Sequence, residues 1–389
     1  MGVSFPMGAR RAAPYAATAL AVVLVLFGSF LALNDDGREE RGFEATLVGE
    51  AEFSNILLDI KKADIESYGV EPGDKLILQF PDDRFVGYYT KTHSGIALFD
   101  IFISSYEDKD DVEIGIFCGD IQEMLGEYGY GTTFTIIPTG EKSEYYNKIP
   151  HYIAGYSDDP EDFDSIQTYA NYREVTQGNF KEDRLYRSAS PFQHNGMRYI
   201  YCDQYLREVG VDHIFSISLD MDRIAPYRYD GSYAFELYDE GRVTAKYLST
   251  AIPFHEDEVL FVMNTIADLD GSIGFSCSHG KDRTGIYCAM LEALAGASYQ
   301  EIREDYMLSM CNYYGIFPHS EEYYAVASMV LDRMFYLFAN PSLIEDVTAI
   351  DWDEIDIGKY DAEEIVSGYL LYIGMTQERL DQLVASITG

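Results

Sequence analysis

The chain has 389 residues, with 28 basic and 66 acidic side chains and a formal net charge of −38. That length suits two domains, or one domain with large additions, and the 47% hydrophobic content is that of a globular protein. So negative a surface repels nucleic acid and anionic lipid, which excludes both as partners bound through charge, and any phosphate site in it has to win by local geometry.

Residues 1–15 contain Arg10 and Arg11 and no acids, and an apolar run from Ala16 to Leu33 follows. A basic start, an apolar centre and the polar exit at Asn34-Asp35-Asp36 predict an export signal or signal anchor within residues 1–42. The cleavage-site pattern is poor, so the reading leans to an uncleaved anchor. The expected location is the cell membrane with the remaining domains outside the cytoplasm, or else secretion. Membrane contact is expected through this N-terminal hydrophobic helix.

Residues 43–155 read as a β-rich accessory domain, with a small barrel as one form it could take. Expected strands include Ile56–Ile60, Lys75–Phe80 after the Pro72-Gly73-Asp74 turn, Ile96–Ile103, Val112–Cys118 and Thr132–Pro138. A short helix is expected over Ile121–Glu127. The acidic, proline-bearing stretch Tyr156–Asp164 reads as a linker.

A catalytic domain is expected over 165–345, and strands alternating with helices predict an α/β fold with a central, mainly parallel sheet flanked by helices. The expected elements are a helix over Asn195–Val209, a strand over Asp212–Leu219, a helix over Glu256–Asp268 and a strand ending at Gly274-Phe275. A helix follows to Ala295, then another from the capping box Ser298-x-x-Glu301 to Met310, and one over Glu321–Leu337. Residues 346–389 read as an acidic helical extension whose last helix opens at Asp361-x-x-Glu364.

The informative stretch is Ser276-Cys277-Ser278-His279-Gly280-Lys281-Asp282-Arg283-Thr284-Gly285. It sits on the turn between the expected catalytic strand and the next helix. A helix N-terminus offers unpaired N–H groups and the positive end of a dipole, and a loop wrapped over it cradles an anion. The same field lowers a thiol pKa, so Cys277 is the candidate nucleophile. Arg283 presents a planar fork to two phosphate oxygens, Gly280 allows the inward turn, and Thr284 can ease departure of the sulfur. Ser278, His279, Gly280 and Lys281 are the candidate substrate-binding positions. Among acids able to protonate a leaving group, Asp220 and Asp282 rank together, ahead of Asp222; Asp257 is also a candidate. The five cysteines show no metal-ligand spacing, and neither a metal nor a cofactor is expected.

Cys-x5-Arg followed by Thr-Gly resembles the signature loop of cysteine-dependent protein-tyrosine and dual-specificity phosphatases. The fuller Gly280–Gly285 run resembles a bacterial branch of that superfamily. Asn171-Tyr172-Arg173-Glu174-Val175 and Leu185-Tyr186-Arg187-Ser188-Ala189-Ser190 are similar to its entry segment, in the expected order. The resemblance covers about residues 165–340 and implies a phosphocysteine mechanism. It implies phosphotyrosine substrates and, in some members, phosphoinositides. His279 and Lys281 as two loop cations would favour an inositol polyphosphate. The sequence departs from the pattern at Ser276, where the family carries histidine, and has no Trp-Pro-Asp acid loop; Trp352, the one tryptophan, lies elsewhere. The β-rich region is similar to the domain preceding the phosphatase in some exported Firmicute-type proteins. A catalytically weak phosphate-binding module, or a surface interaction protein, is the competing reading.

Overall fold

The computed structural model describes residues 42–389, except 52–53, 93–94, 106–108, 353–354, 356 and 359. The expected N-terminal apolar helix lies outside the described residues. Among those described, no helix is long and apolar enough to cross a membrane.

The first region is a closed barrel of β1 (Phe43–Glu50), β2 (Ile56–Lys61), β3 (Asp74–Gln79), β4 (Arg84–Thr90), β5 (Ile101–Ser104), β6 (Asp111–Ile116) and β7 (Thr133–Lys142). Its spatial order is β1-β2-β6-β5-β4-β3-β7, and β7 returns to pair with β1. The strand period of two explains the interior: Phe43, Ala45 and Leu47 of β1, Ile56 and Leu58 of β2, Leu76 and Leu78 of β3, and Phe134 and Ile136 of β7 all point inward. Neither β1 nor β4 was among the strands expected from the sequence.

The second region is a five-stranded sheet of β8 (Arg173–Glu174), β9 (Leu185–Ala189), β10 (His213–Ser216), β11 (Val243–Ala245) and β12 (Ile273–Cys277), in the order β11-β10-β12-β9-β8. All pairs are parallel except β8 with β9, so the sheet is mixed and largely parallel. Helices α1 (Arg198–Val209) and α2 (Tyr233–Asp239) pack on one face, through Leu206, Phe235 and Leu237 against Tyr186 and Ile214. The other face carries α3 (Glu256–Asp268), α4 (Asp282–Leu294) and α5 (Tyr299–Tyr314), against Leu185, Phe215, Ile273 and Phe275. Beyond these lie α6 (Glu321–Ala327), α7 (Arg333–Ala339), α8 (Ala362–Tyr372) and α9 (Gln377–Ile387).

Some expected bounds shift for local reasons. Helix α1 begins at Arg198, because Ser190 Oγ accepts from the N–H groups of Phe192 and Gln193 and holds that segment as a turn. The expected helix over Glu321–Leu337 is interrupted by a π-helical turn at Ser328–Asp332. That turn serves the junction with the barrel: the Met329 carbonyl accepts from Leu98 N–H at 3.0 Å. The expected strand Ile96–Ile103 therefore starts only at Ile101. Phe99 takes a left-handed φ of 70°, a strained conformation for a bulky residue, and packs its ring against Phe254 and Trp352.

One hydrophobic cluster runs from the barrel interior into the α/β core, and Phe43–Gly389 forms one compact unit. The junction is also polar. Arg333 is buried and donates to the Leu98 carbonyl and to Asp100, each at 2.6 Å, with Trp352 over its guanidinium at 4.7 Å. Breaking a buried ion pair costs about 3–5 kcal/mol. Arg333→Met is therefore expected to lower unfolding stability by about 3 kcal/mol. Barrel and sheet should still unfold in one transition, with Trp352 fluorescence and far-UV circular dichroism coinciding in a denaturant titration.

Candidate active site

The site is built at the carboxyl end of β12, as expected for a parallel sheet. Ile273, Phe275 and Cys277 share the face that packs under α4, which carries Cys277 to the rim of the helix N-terminus. Residues 278–281 then wrap over the first turn of α4.

The carbonyl groups of Ser278, His279 and Gly280 are all drawn outward. Ser278 O accepts from Ser190 N at 3.3 Å and Asn195 Nδ2 at 3.2 Å. His279 O accepts from Tyr313 OH at 2.8 Å and Asn171 Nδ2 at 3.4 Å. Gly280 O accepts from Arg187 Nη2 at 2.9 Å and Asn171 Nδ2 at 3.1 Å. Among the described residues, no hydrogen bond engages the N–H groups of residues 278–283. Peptide planarity puts those N–H groups on the side opposite the tied carbonyls, and they form a cradle for an anion. Gly280 has φ +66°, and a Cβ there would overlap the Ser188 carbonyl of β9.

Arg283 is held by the carbonyls of Ile217 and Leu248, to which Nη1 donates at 3.1 and 2.9 Å; its Nη2 lies 3.5 Å from Ser278 Oγ. Cys277 is buried, and burial pushes its thiol up. The Arg283 charge, with Thr284 beside the sulfur, outweighs burial and leaves the thiol below its ordinary value. The contrast with Cys288 on α4 is informative: it is also buried, the Arg187 charge beside it is opposed by Glu292 and Asp305, and its thiol is pushed up to about 12.

The expected acids separate. Asp282 is ion-paired with Lys281, whose Nζ lies 2.7 Å from Oδ2. Burial would raise the Asp282 carboxyl, but the Lys281 ammonium outweighs that and holds it below the usual range. Asp220 stands beyond the carboxyl end of β10, half-buried, with Oδ1 accepting from Tyr247 N at 3.0 Å. The Tyr247 ring lies 5.5 Å from the Arg283 guanidinium, so Asp220 is one residue removed from the phosphate fork. Asp222 and Asp257 are exposed.

The two expected loop cations are modified by their neighbours. His279 Nε2 meets Tyr156 OH at 2.8 Å, and burial together with the Lys281 charge lowers its pKa to about 4, so the ring is neutral at pH 7. Lys281 is buried, pairs with Asp282 and lies 5.3 Å from the Tyr314 ring. Ser276, in the position of the family histidine, is buried between Ser188 and Ser216 in register across the sheet.

Sequence reasoning missed three contributors. Tyr156, from the stretch read as a linker, packs on His279 and Tyr313. Buried Arg198 donates to the carbonyls of Ser157 and Tyr169 and keeps that stretch in place. Cys118, at the end of the barrel beyond β6, stands close enough to the loop to sense Asp282, Lys281 and Arg283; burial pushes its thiol up to about 12. The third, Asp305 on α5, ties down Arg173 and Arg187. The available signal was an acid on the buried α5 stripe of Ile302, Tyr306 and Ser309.

A cysteine with a lowered thiol pKa at a strand end, a set of unengaged N–H groups and a clamped arginine together form a site with the chemistry to hold an oxyanion beside a sulfur. The sequence model of the tyrosine phosphatase family matches residues 166–388, and the chain belongs to that family. Phosphate monoester hydrolysis is the chemistry this membership implies. No curated protein matches the chain. Among solved structures, an uncharacterized conserved protein from Thermotoga maritima is 15% identical, over 26% of this chain and 37% of that one, with a TM-score of 0.24.

Because the thiol is held down mainly by Arg283, iodoacetate should alkylate Cys277 below the pH at which a free thiol reacts. Arg283→Met removes the charge that favours the thiolate, so the alkylation midpoint should move up in pH. His279 is neutral across pH 5–8, so His279→Gln should leave the midpoint's shape without a new inflection there.

Proposed function

We propose that the chain hydrolyses phosphate monoesters through a phosphocysteine at Cys277. The observation that supports this is the thiol held below its ordinary value inside the cradle of N–H groups. In the first step the Cys277 thiolate attacks phosphorus in line, the P–O ester bond breaks, and the leaving oxygen takes a proton from Asp220. In the second, water attacks phosphorus and gives its proton to Asp220, and sulfur leaves as thiolate, helped by Thr284. Arg283 and the N–H groups of residues 278–283 hold the three non-bridging oxygens through both steps. Asp220 is preferred to Asp282 because the Asp282 carboxylate is committed to the Lys281 ammonium.

Phosphotyrosine is the substrate class that fits first. A polyphosphorylated inositol fits less well, since His279 is neutral and Lys281 already carries a carboxylate partner. The sequence of residues 1–42 supports placing the enzyme outside the cytoplasm, anchored or secreted. A weakly catalytic phosphate-binding module is the second reading; it is favoured by Ser276, whose buried hydroxyl has no hydrogen-bond partner among the described residues and gives the thiolate no support.

The test is hydrolysis of para-nitrophenyl phosphate and of phosphotyrosine peptides with a chelator present. Activity should survive chelation and vanish in Cys277→Ser. Asp220→Asn should lose about 10²–10⁴-fold on substrates with poor leaving groups and far less on para-nitrophenyl phosphate. A folded protein that binds phosphate but turns over neither substrate would establish the second reading instead.

A further inference from the structure

Behind the loop lies a buried charged cluster. Asp305 is 5% exposed and Arg187 is fully buried. Asp305 Oδ1 takes Arg173 Nε at 2.6 Å, and Oδ2 takes Arg187 Nη1 at 2.5 Å. Each arginine has a second arm toward the loop. Arg187 Nη2 reaches the Gly280 carbonyl at 2.9 Å. Arg173 Nη1 reaches Asn171 Oδ1 at 3.1 Å, and the Asn171 amide in turn donates to the carbonyls of Gly280 and His279. Ser309 Oγ lies between the two guanidinium groups, at 3.1 Å from Arg173 Nη2 and 3.2 Å from Arg187 Nη2.

Room for this arrangement is built into α4. A Cβ on Gly285 would lie 2.9 Å from the Tyr306 ring and 3.2 Å from Arg187 Nη2. The glycine lets the guanidinium pass beneath the helix start and reach the loop from behind. Two charges this deep are costly unless paired, and they persist because Asp305 is ionised. Burial would raise its carboxyl, but the two arginines together hold it far below the usual range. The neighbouring Glu292 goes the other way: burial and the Asp305 charge push its carboxyl well up. The Arg187 guanidinium lies directly behind the Gly280 carbonyl.

We propose that Asp305, Arg187 and Arg173 are positioning residues that fix the direction of the loop carbonyls and thereby aim the loop N–H groups at the substrate phosphate. None of them touches the substrate. Asp305 sets the two forks, the forks hold the carbonyls of Gly280 and, through Asn171, His279, and the peptide planes carry that orientation to the phosphate side. This rests on the phosphatase reading for its substrate, but its consequences are read on phosphate itself.

The test uses the full chain and inorganic phosphate as the probe. Arg187→Lys keeps a charge beside Asp305 and loses the second arm to Gly280. Its inhibition constant for phosphate and its KM for para-nitrophenyl phosphate should rise by about 10–100-fold, the scale caused by roughly 1 Å of misplacement. The Cys277 alkylation midpoint should also move up in pH. Arg173→Lys, nearer the surface, should shift the same quantities in the same direction by less. Phosphate binding is also measured by calorimetry, so the outcome stands even if the wild-type chain shows no turnover. A folded Arg187→Lys or Arg173→Lys protein with lowered melting temperature but unchanged phosphate affinity and alkylation midpoint would overturn the proposal. Should Arg187→Lys fail to fold, Arg173→Lys alone decides.

Discussion

Everything at the site depends on which way the peptide groups of residues 278–280 face. An isolated loop has no reason to turn three successive carbonyls outward, since doing so crowds its N–H dipoles together with like ends facing. Two forces make this stable. Donors from five other residues take the carbonyls: Ser190, Asn195, Asn171, Arg187 and Tyr313. The bound anion, when present, offsets the dipoles on the other side. The free site is accordingly organised before its ligand arrives, and little binding energy is spent on ordering the loop.

That dependence explains the residue choices around the loop better than the loop sequence does. Gly280 is required by a left-handed φ and by the β9 backbone pressed against it, and Gly285 by the guanidinium beneath it. Arg283 is fixed by the carbonyls of Ile217 and Leu248, which follow β10 and β11 respectively. The fork thus reports the positions of two neighbouring strands, so the five-stranded sheet acts as a jig for the thiolate and its counter-charge. The barrel reaches the same region by another route: Phe99 and Arg333 lock it to the helices, and Cys118 and Tyr152 stand near Lys281 and Asp282. Barrel and sheet also share one hydrophobic cluster.

Much of this was legible in the sequence, for physical reasons. The strand–loop–helix around Cys277 is a local pattern, apolar run then glycine-bearing loop then helix, so Cys277, Arg283 and Thr284 could be placed together without a structure. The helix over Glu256–Asp268 was found with its bounds intact because its apolar period is strong. The misses are long-range. The π-turn at Ser328–Asp332 exists because the barrel needs the Met329 carbonyl, and nothing local announces it. Strand β8 is two residues long and owes its place to β9. His279 and Lys281 looked like two cations, but burial and the Lys281 charge leave His279 neutral, and Asp282 compensates Lys281.

The protein's net charge makes the local construction more telling. At −38 the surface repels the phosphate dianion that the site is built to receive. At physiological salt that repulsion is screened within about 8 Å, so it acts on approach and little on the bound state. Contact terms act at the opposite range. Helix-end N–H groups and a bidentate guanidinium lose their strength within a few ångströms but are unscreened where water is excluded. Surface acids are therefore tolerable as long as none faces the cradle without compensation. Two acids beside the loop meet that condition: Asp282, at the start of α4, is paired with Lys281, and Asp305, behind the loop, is held by two arginines.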